Sequence, residues 1–210
     1  MIPPPPASFA AVHRVGLRPG TGLHRIHGAG FASNAFNPCL GRPSRFAPLL
    51  RPDGTCISTM YAASTFECAV HETLFHEIQH DARHKSVRFG ELEHLDYAVV
   101  RPQRELVLAG LFEPDLNKWG LTRRQLIDTF AADYDATVKW AVALHDACSD
   151  IDGLVWTSRH CHPASACLLF GDRVPSHQLD TAHRARISET NALLLQIRDF
   201  ADRADILIAF

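Results

Sequence analysis

The chain has 210 residues, 46% of them apolar and 21% charged, with a formal net charge of −2. That length suits a single domain of about 100–200 residues around one core, and the balance excludes a disordered or fibrous chain. A nearly neutral charge gives no electrostatic reason to bind nucleic acid or an acidic membrane, both of which need a basic surface.

Residues 1–22 hold four consecutive prolines, Pro3 to Pro6, and are then punctuated by Gly and Pro. They read as a poorly ordered, proline-rich lead-in. The folded domain is expected over 23–210. Residues 23–27 (Leu-His-Arg-Ile-His) alternate apolar and polar as a half-buried strand does, and Gly28 and Gly30 end it. Residues 31–54 mix Asn, Pro, Gly and Arg with isolated Phe36 and Phe46, the composition of a long ordered loop lying over a site. A strand over 56–62 follows. Ser64 with Glu67 makes a capping box for a helix over 65–80, where Phe66, Ala69, Val70, Thr73 and Leu74 recur at helical spacing.

Further along, 92–100 and 105–111 have strand character. Thr122 opens a helix through Phe130, Tyr134, Val138 and Val142 that ends near Cys148. Residues 153–157 and 167–170 are short buried strands, and 188–200 form an amphipathic helix with Leu193, Leu194, Ile197 and Phe200 on one face. This order of elements implies an α+β domain with small mixed or antiparallel sheets and flanking helices, not alternating βαβ units.

The six cysteines, Cys39, Cys56, Cys68, Cys148, Cys161 and Cys167, are too dispersed for a secreted disulfide scaffold, so reduced thiols are expected. The start lacks the basic and apolar regions of a signal peptide, and no apolar run approaches the ~18 residues of a membrane span. A cytoplasmic protein without membrane contact is the expectation.

Three motifs compete for the chemistry. His76-Glu77-Ile78-Gln79-His80 is a literal HExxH, which on a helix faces two imidazoles toward zinc with the glutamate activating water, as in a zinc protease. A catalytic zinc needs a third ligand; the metzincin continuation is missing, and Glu105 is the remaining gluzincin-type candidate. Gly28-Ala29-Gly30 resembles the start of a dinucleotide fingerprint, but the third glycine and the following helix are absent, so these are turn glycines. Cys161, His162 and Cys167 lack a second well-spaced pair and read as ordinary side chains. No metal and no resident cofactor are expected.

A dispersed set is more specific. It runs from Arg25 in the first strand, through Arg45, to Tyr61 in Tyr-x-Ala at a strand end, Glu72 in Ala-x-x-Glu on the next helix, and Ser158 followed by Arg159. In this order, from residue 23 to about 174, the chain resembles the RES-domain family, named for Arg, Glu and Ser. The resemblance implies a fold like that of ADP-ribosyltransferase toxins, with NAD as substrate. It also implies the toxic half of a type II toxin–antitoxin pair that depletes NAD by cleaving the nicotinamide–ribose bond, by hydrolysis or phosphorolysis. Transfer of ADP-ribose to a protein is the alternative. Arg45, Tyr61, Glu72 and Ser158 are the implied catalytic residues, and Arg25, Arg45, Tyr61 and Arg159 the implied substrate-binding ones. Arg42 and Arg51 compete with Arg45 for the arginine position. The implied partner is a cognate antitoxin with a helix-turn-helix DNA-binding domain; the 188–200 helix is a candidate contact for it, with core packing the alternative.

Chemically the set is coherent. Breaking an N-glycosidic bond builds positive charge on the ribose, which a carboxylate such as Glu72 stabilises. A guanidinium grips a pyrophosphate with charge-assisted bonds, and a tyrosine offers both a ring face and a hydroxyl.

Overall fold

The structure, a computed structural model, describes residues 2–9, 11–51, 53–78 and 82–209. In chain order it contains β1 (Arg14–Leu17), β2 (Leu23–Gly28), β3 (Leu49–Leu50), β4 (Cys56–Ile57), β5 (Thr59–Ala63), α1 (Phe66–Thr73), β6 (Ser86–Arg88), β7 (Leu95–Pro102) and β8 (Leu106–Gly110). There follow α2 (Glu113–Lys118), α3 (Arg123–Leu126), α4 (Tyr134–Ala147), β9 (Gly153–Thr157), β10 (Ser165–Phe170), β11 (Leu179–Arg186), α5 (Asn191–Arg203) and β12 (Leu207–Ala209).

The most apolar segments become the middle of one mixed sheet of eight strands, ordered β1-β8-β9-β10-β5-β2-β7-β11. Only β8 and β9 run parallel; every other pair in it is antiparallel. The class is α+β, as the element order implied, with most strands gathered into one large sheet instead of several small ones. Two further pairs, β3 with β4 and β6 with β12, stand apart from it. Packing at the centre is tight: a Cβ on Gly153 would lie 2.1 Å from the Leu168 carbonyl oxygen of β10, so only glycine fits there. The polar edge strand β11 alternates little, and its Asp180, His183, Arg184 and Arg186 suit an edge that must not pair with another chain.

The main core lies between the sheet and helices α1, α4 and α5, where Phe66, Val70, Trp140, Leu144, Trp156 and Ile197 meet. A second cluster, including Met60, Leu106, Leu108, Val155 and Leu169, covers the opposite face. The expected C-terminal helix is present as α5; its Leu193, Ile197 and Ala201 are buried, and Phe200 meets Phe66 at 5.7 Å between ring centroids. Of the residues on the face offered as a partner contact, Leu193 and Ile197 belong to the core and Leu194 packs against it half-buried.

Four expectations differ from what is seen. The lead-in contributes β1, which covers the edge of β8; Phe9 lies edge-on to Trp119 and Trp140, and the Trp140 indole N–H donates to the Pro3 carbonyl at 2.8 Å. Proline and glycine punctuation hid a chain held by its side chains. Cys39 and Cys56 form a disulfide, Cα to Cα 6.0 Å, where reduced thiols were expected; the fold brings together two residues 17 apart. Helix 65–80 is shorter, because the Phe75 N–H turns to the Val70 carbonyl and the ladder stops at Thr73. Its cap is Thr65, whose hydroxyl accepts from the Cys68 N–H, and not Ser64. Finally, the helix from Thr122 breaks into α3 and α4, with Thr122 and Gln125 forming the capping box of α3.

No helix among the described residues is long and apolar enough to cross a membrane.

Candidate active site

Strand β5 and helix α1 follow one another, separated by two residues, so Tyr61 and Glu72 approach the same place from the sheet and from the helix. Phe66, Cys68, Ala69 and Val70 anchor α1 in the core, which leaves Glu72 on the side that faces the segment between β2 and β3. That segment carries Arg45, only 2% exposed. Helix α4 fixes its backbone, since the Thr137 hydroxyl donates to the Arg45 carbonyl. Its guanidinium lies 5.8 Å from the centroid of Trp156 on β9.

Glu72 is the centre of the arrangement. Arg45 Nη1 donates to its Oε2 at 3.3 Å, and the Ser158 hydroxyl donates to its Oε1 at 2.6 Å. Burial pushes the Glu72 carboxyl toward protonation; the positive charge of Arg45 and the Ser158 hydrogen bond outweigh that, and the group sits below its ordinary 4.5. The result is a buried carboxylate held ionised at neutral pH. Ser158 itself is wholly buried just past β9, its hydroxyl also accepting from the His160 N–H at 3.3 Å, so it reaches the cavity only through Glu72.

Tyr61 is tied to the arginine segment. The Phe46 N–H donates to its hydroxyl oxygen at 2.8 Å, the Ser44 hydroxyl is 3.1 Å away, and its ring stands edge-on to Trp156. Burial raises its pKa to about 12, so it remains a neutral phenol. Its hydroxyl is engaged in holding the chain around Arg45.

A cavity of about 610 Å³ opens over these groups, lined by Arg25, Arg42, Arg45, Tyr61, Glu72 and His76 among others. That lies within the roughly 300–1,000 Å³ usual for ligand sites. The segment expected to lie over a site does so: Phe31 to Pro48 supplies much of the wall. Arg25 lines it too, but its Nη1 donates to the Ser33 and Ala35 carbonyls at 2.8 and 2.9 Å, and burial lowers its pKa to about 10. Arg159 turns to the Thr129 carbonyl at 3.0 Å and the Phe130 ring at 4.7 Å, outside the lining. Of the three competing arginines, Arg45 meets Glu72; Arg42 is exposed at the cavity mouth, and Arg51 pairs with Asp172 at 3.0 Å.

Two residues of the site were not singled out from sequence for this role, His76 and Tyr134. His76 Nε2 is 3.3 Å from the Tyr134 hydroxyl at the start of α4, and both line the cavity. The signal was there in the four-residue spacing from Glu72 to His76, which the HExxH reading absorbed. That motif loses its support: residues 74–78 form turns instead of a helix, while Gln79 and His80 lie outside the described residues. Glu105 sits beside Gly16 of β1. Among the described residues no group of three His, Cys, Asp or Glu is placed to hold a metal ion.

Comparison with known proteins agrees with this architecture. No curated protein matches the chain. Among solved structures, a chain from the crystal structure of the M. tuberculosis MbcT–MbcA toxin–antitoxin complex is similar, with a TM-score of 0.61 at 15% identity, covering 88% of this chain and 92% of that one. At such identity the likeness is one of fold. The family model of the RES domain matches residues 22–194, most of the chain and all of the elements that build the site, and the chain belongs to the RES-domain family.

Proposed function

We propose that the protein is a toxin that cleaves the bond between nicotinamide and ribose in NAD, and that an antitoxin restrains it. The observation that carries this reading is an ionised, buried carboxylate, Glu72, clamped by Arg45 and Ser158 at a cavity of about 610 Å³. As the glycosidic bond breaks, its electron pair leaves with the nicotinamide nitrogen and positive charge builds on the ribose. A preorganised anion beside that charge stabilises the transition state more than the ground state. Ser158 orients Glu72, Arg45 keeps it ionised, and Tyr61 holds the segment that carries Arg45. Arg42, exposed and lining the cavity, is the arginine assigned to the pyrophosphate in this reading, since Arg45 is committed to Glu72 and Arg25 to backbone carbonyls. The antitoxin partner is supported by the structural neighbour, which is a toxin–antitoxin complex.

The test is to incubate the purified protein with NAD and measure nicotinamide release, with and without phosphate. Release in phosphate-free buffer with free ADP-ribose as product supports hydrolysis, and dependence on phosphate supports phosphorolysis. Intact NAD after exposure to stoichiometric protein overturns the reading. Label from NAD appearing on a protein instead of in free ADP-ribose reassigns the chain to ADP-ribose transfer.

A further inference from the structure

Each oxygen of the Glu72 carboxylate already accepts a hydrogen bond. Oε2 accepts from Arg45 and Oε1 from Ser158, and both donors favour the anion over the acid. Such a group stabilises charge well and takes up a proton poorly, since a general base works best with a pKa near the operating pH. Hydrolysis, however, releases a proton: water forms a bond to ribose C1′, the C1′–N bond breaks with its electrons going to nicotinamide, and the water must lose H⁺. Arg25, Arg42 and Arg45 line the cavity but carry no lone pair to receive it, whereas His27, His76 and Glu77 of the same lining do, and of these His76 stands four residues after Glu72 with a hydroxyl against its ring. Tyr61 is a neutral phenol with its oxygen already accepting from Phe46.

We propose that His76 is the general base that takes this proton from the attacking water, with Tyr134 as the positioning residue that orients its ring. The inference rests on the NAD-cleaving reading above. His76 follows Glu72 by four residues, in the turn that leaves α1, and lines the same cavity. Tyr134 reaches it from α4 at 3.3 Å and stands at 61° to its ring with centroids 6.1 Å apart. With Nε2–H donating to the Tyr134 oxygen, the Nδ1 lone pair is left to accept the proton, which the imidazolium then returns to solvent.

Burial and the charges around it together favour the neutral ring. Burial first, then Arg45 from the β2–β3 segment, lower its pKa below 6.5; Glu72 and the neighbouring Glu77 pull it up, and Arg159 beyond β9 pushes it down again. A base must be deprotonated to act, so kcat falls as pH drops through this lowered value. The acid limb of the pH profile is therefore expected below 6.5.

The experiment measures nicotinamide release in phosphate-free buffer from pH 4.5 to 8 for wild type, His76→Ala, His76→Asn and Tyr134→Phe. Both His76 variants are expected to lose about 10²-fold in kcat with little change in KM, and to lose the acid limb. Added imidazole restores part of the His76→Ala rate. Tyr134→Phe keeps a limb but moves it to lower pH, because the imidazolium loses a hydrogen-bond acceptor; it gives an independent reading if the His76 variants fail to fold. A His76 variant that keeps the wild-type limb, or a Tyr134→Phe limb that stays in place, overturns the proposal while leaving NAD cleavage standing. Wild-type protein that releases nicotinamide only when phosphate is added overturns the proposal and leaves NAD cleavage standing; no release with or without phosphate overturns both.

Discussion

At Glu72 two opposing effects meet within one side chain. Burial favours the neutral acid, whereas Arg45 and Ser158 favour the anion, and the anion prevails. The sign of the linkage follows: a carboxyl whose folded pKa is depressed contributes stability above its unfolded value near 4.5, and that contribution disappears as pH falls through the folded value. Ser158→Ala removes one of the two donors. A hydrogen bond to a charged group is worth about 1.5–3 kcal/mol, so the variant should be less stable by that amount at pH 7. The gap should narrow as pH falls through the folded pKa of Glu72, because a protonated Glu72 no longer benefits from the donor. Thermal melts of both proteins across this range decide the point; a gap independent of pH would show that Ser158 does not favour the anion. The sequence order that pointed to Arg45, Glu72 and Ser158 placed three residues that form one hydrogen-bonded chain. It did not mark Thr137 or Tyr134, because their contacts join α4 to residues 92 and 58 positions away, a relation no local pattern carries.

Among elements, the segment from β2 to β4 has little regular structure and yet holds Arg45 in place. Its anchors are the Cys39–Cys56 disulfide, the β3–β4 pair, the Thr137 bond from α4 and the Tyr61 hydroxyl from β5. Cys39 also lines the cavity, so the crosslink ties the wall of the site to the strand that precedes Tyr61. A loop of this size gives a crosslink worth about 3 kcal/mol through the unfolded state. Cys39→Ser with Cys56→Ser should lower stability by about that much in urea titrations, and adding reductant to the wild type should reproduce the loss. An unchanged unfolding midpoint in both would rule out the crosslink as an anchor. Helix α5 was legible because one face of it is buried at helical spacing, and β9 and β10 because their continuous apolar runs are buried on both faces; β2 was found although its buried Leu23 and Ile26 belong to opposite faces of the sheet. Strand β11 was not, since at the sheet edge it exposes nearly every residue and its sequence carries no alternation. The spacing from Thr122 to Cys148 read as a single helix because apolar residues continue through the break at 127–133, where Phe130 is exposed.

At the scale of the whole molecule, the sheet places β5, which carries Tyr61, and β9, which leads to Ser158, near the middle on either side of β10 and its most polar strands outside, so the site is only as rigid as its edges are closed. On one side β11 ends the sheet with charges of its own, Arg184 and Arg186 pairing with Asp96 of β7 at 2.6 Å. On the other side β8, which is parallel to β9, has β1 as its outer neighbour. The lead-in thus closes the sheet, and it also carries Phe9 against Trp119 and Trp140 and the buried Val12. Deleting residues 1–18 uncovers the backbone donors and acceptors of β8 and the apolar faces beneath Phe9 and Val12. Burying such side chains contributes about 1.5–3 kcal/mol each, so the loss is roughly 3–6 kcal/mol before the edge is counted. At roughly 2–4 °C per kcal/mol for a chain of this size, the melting temperature should fall on the order of 10 °C. An open edge strand also recruits other chains, so the truncated protein should elute partly as larger species in size-exclusion chromatography. A truncated chain that melts with the full-length protein and stays monodisperse would return residues 1–18 to the dispensable lead-in that their prolines and glycines suggest.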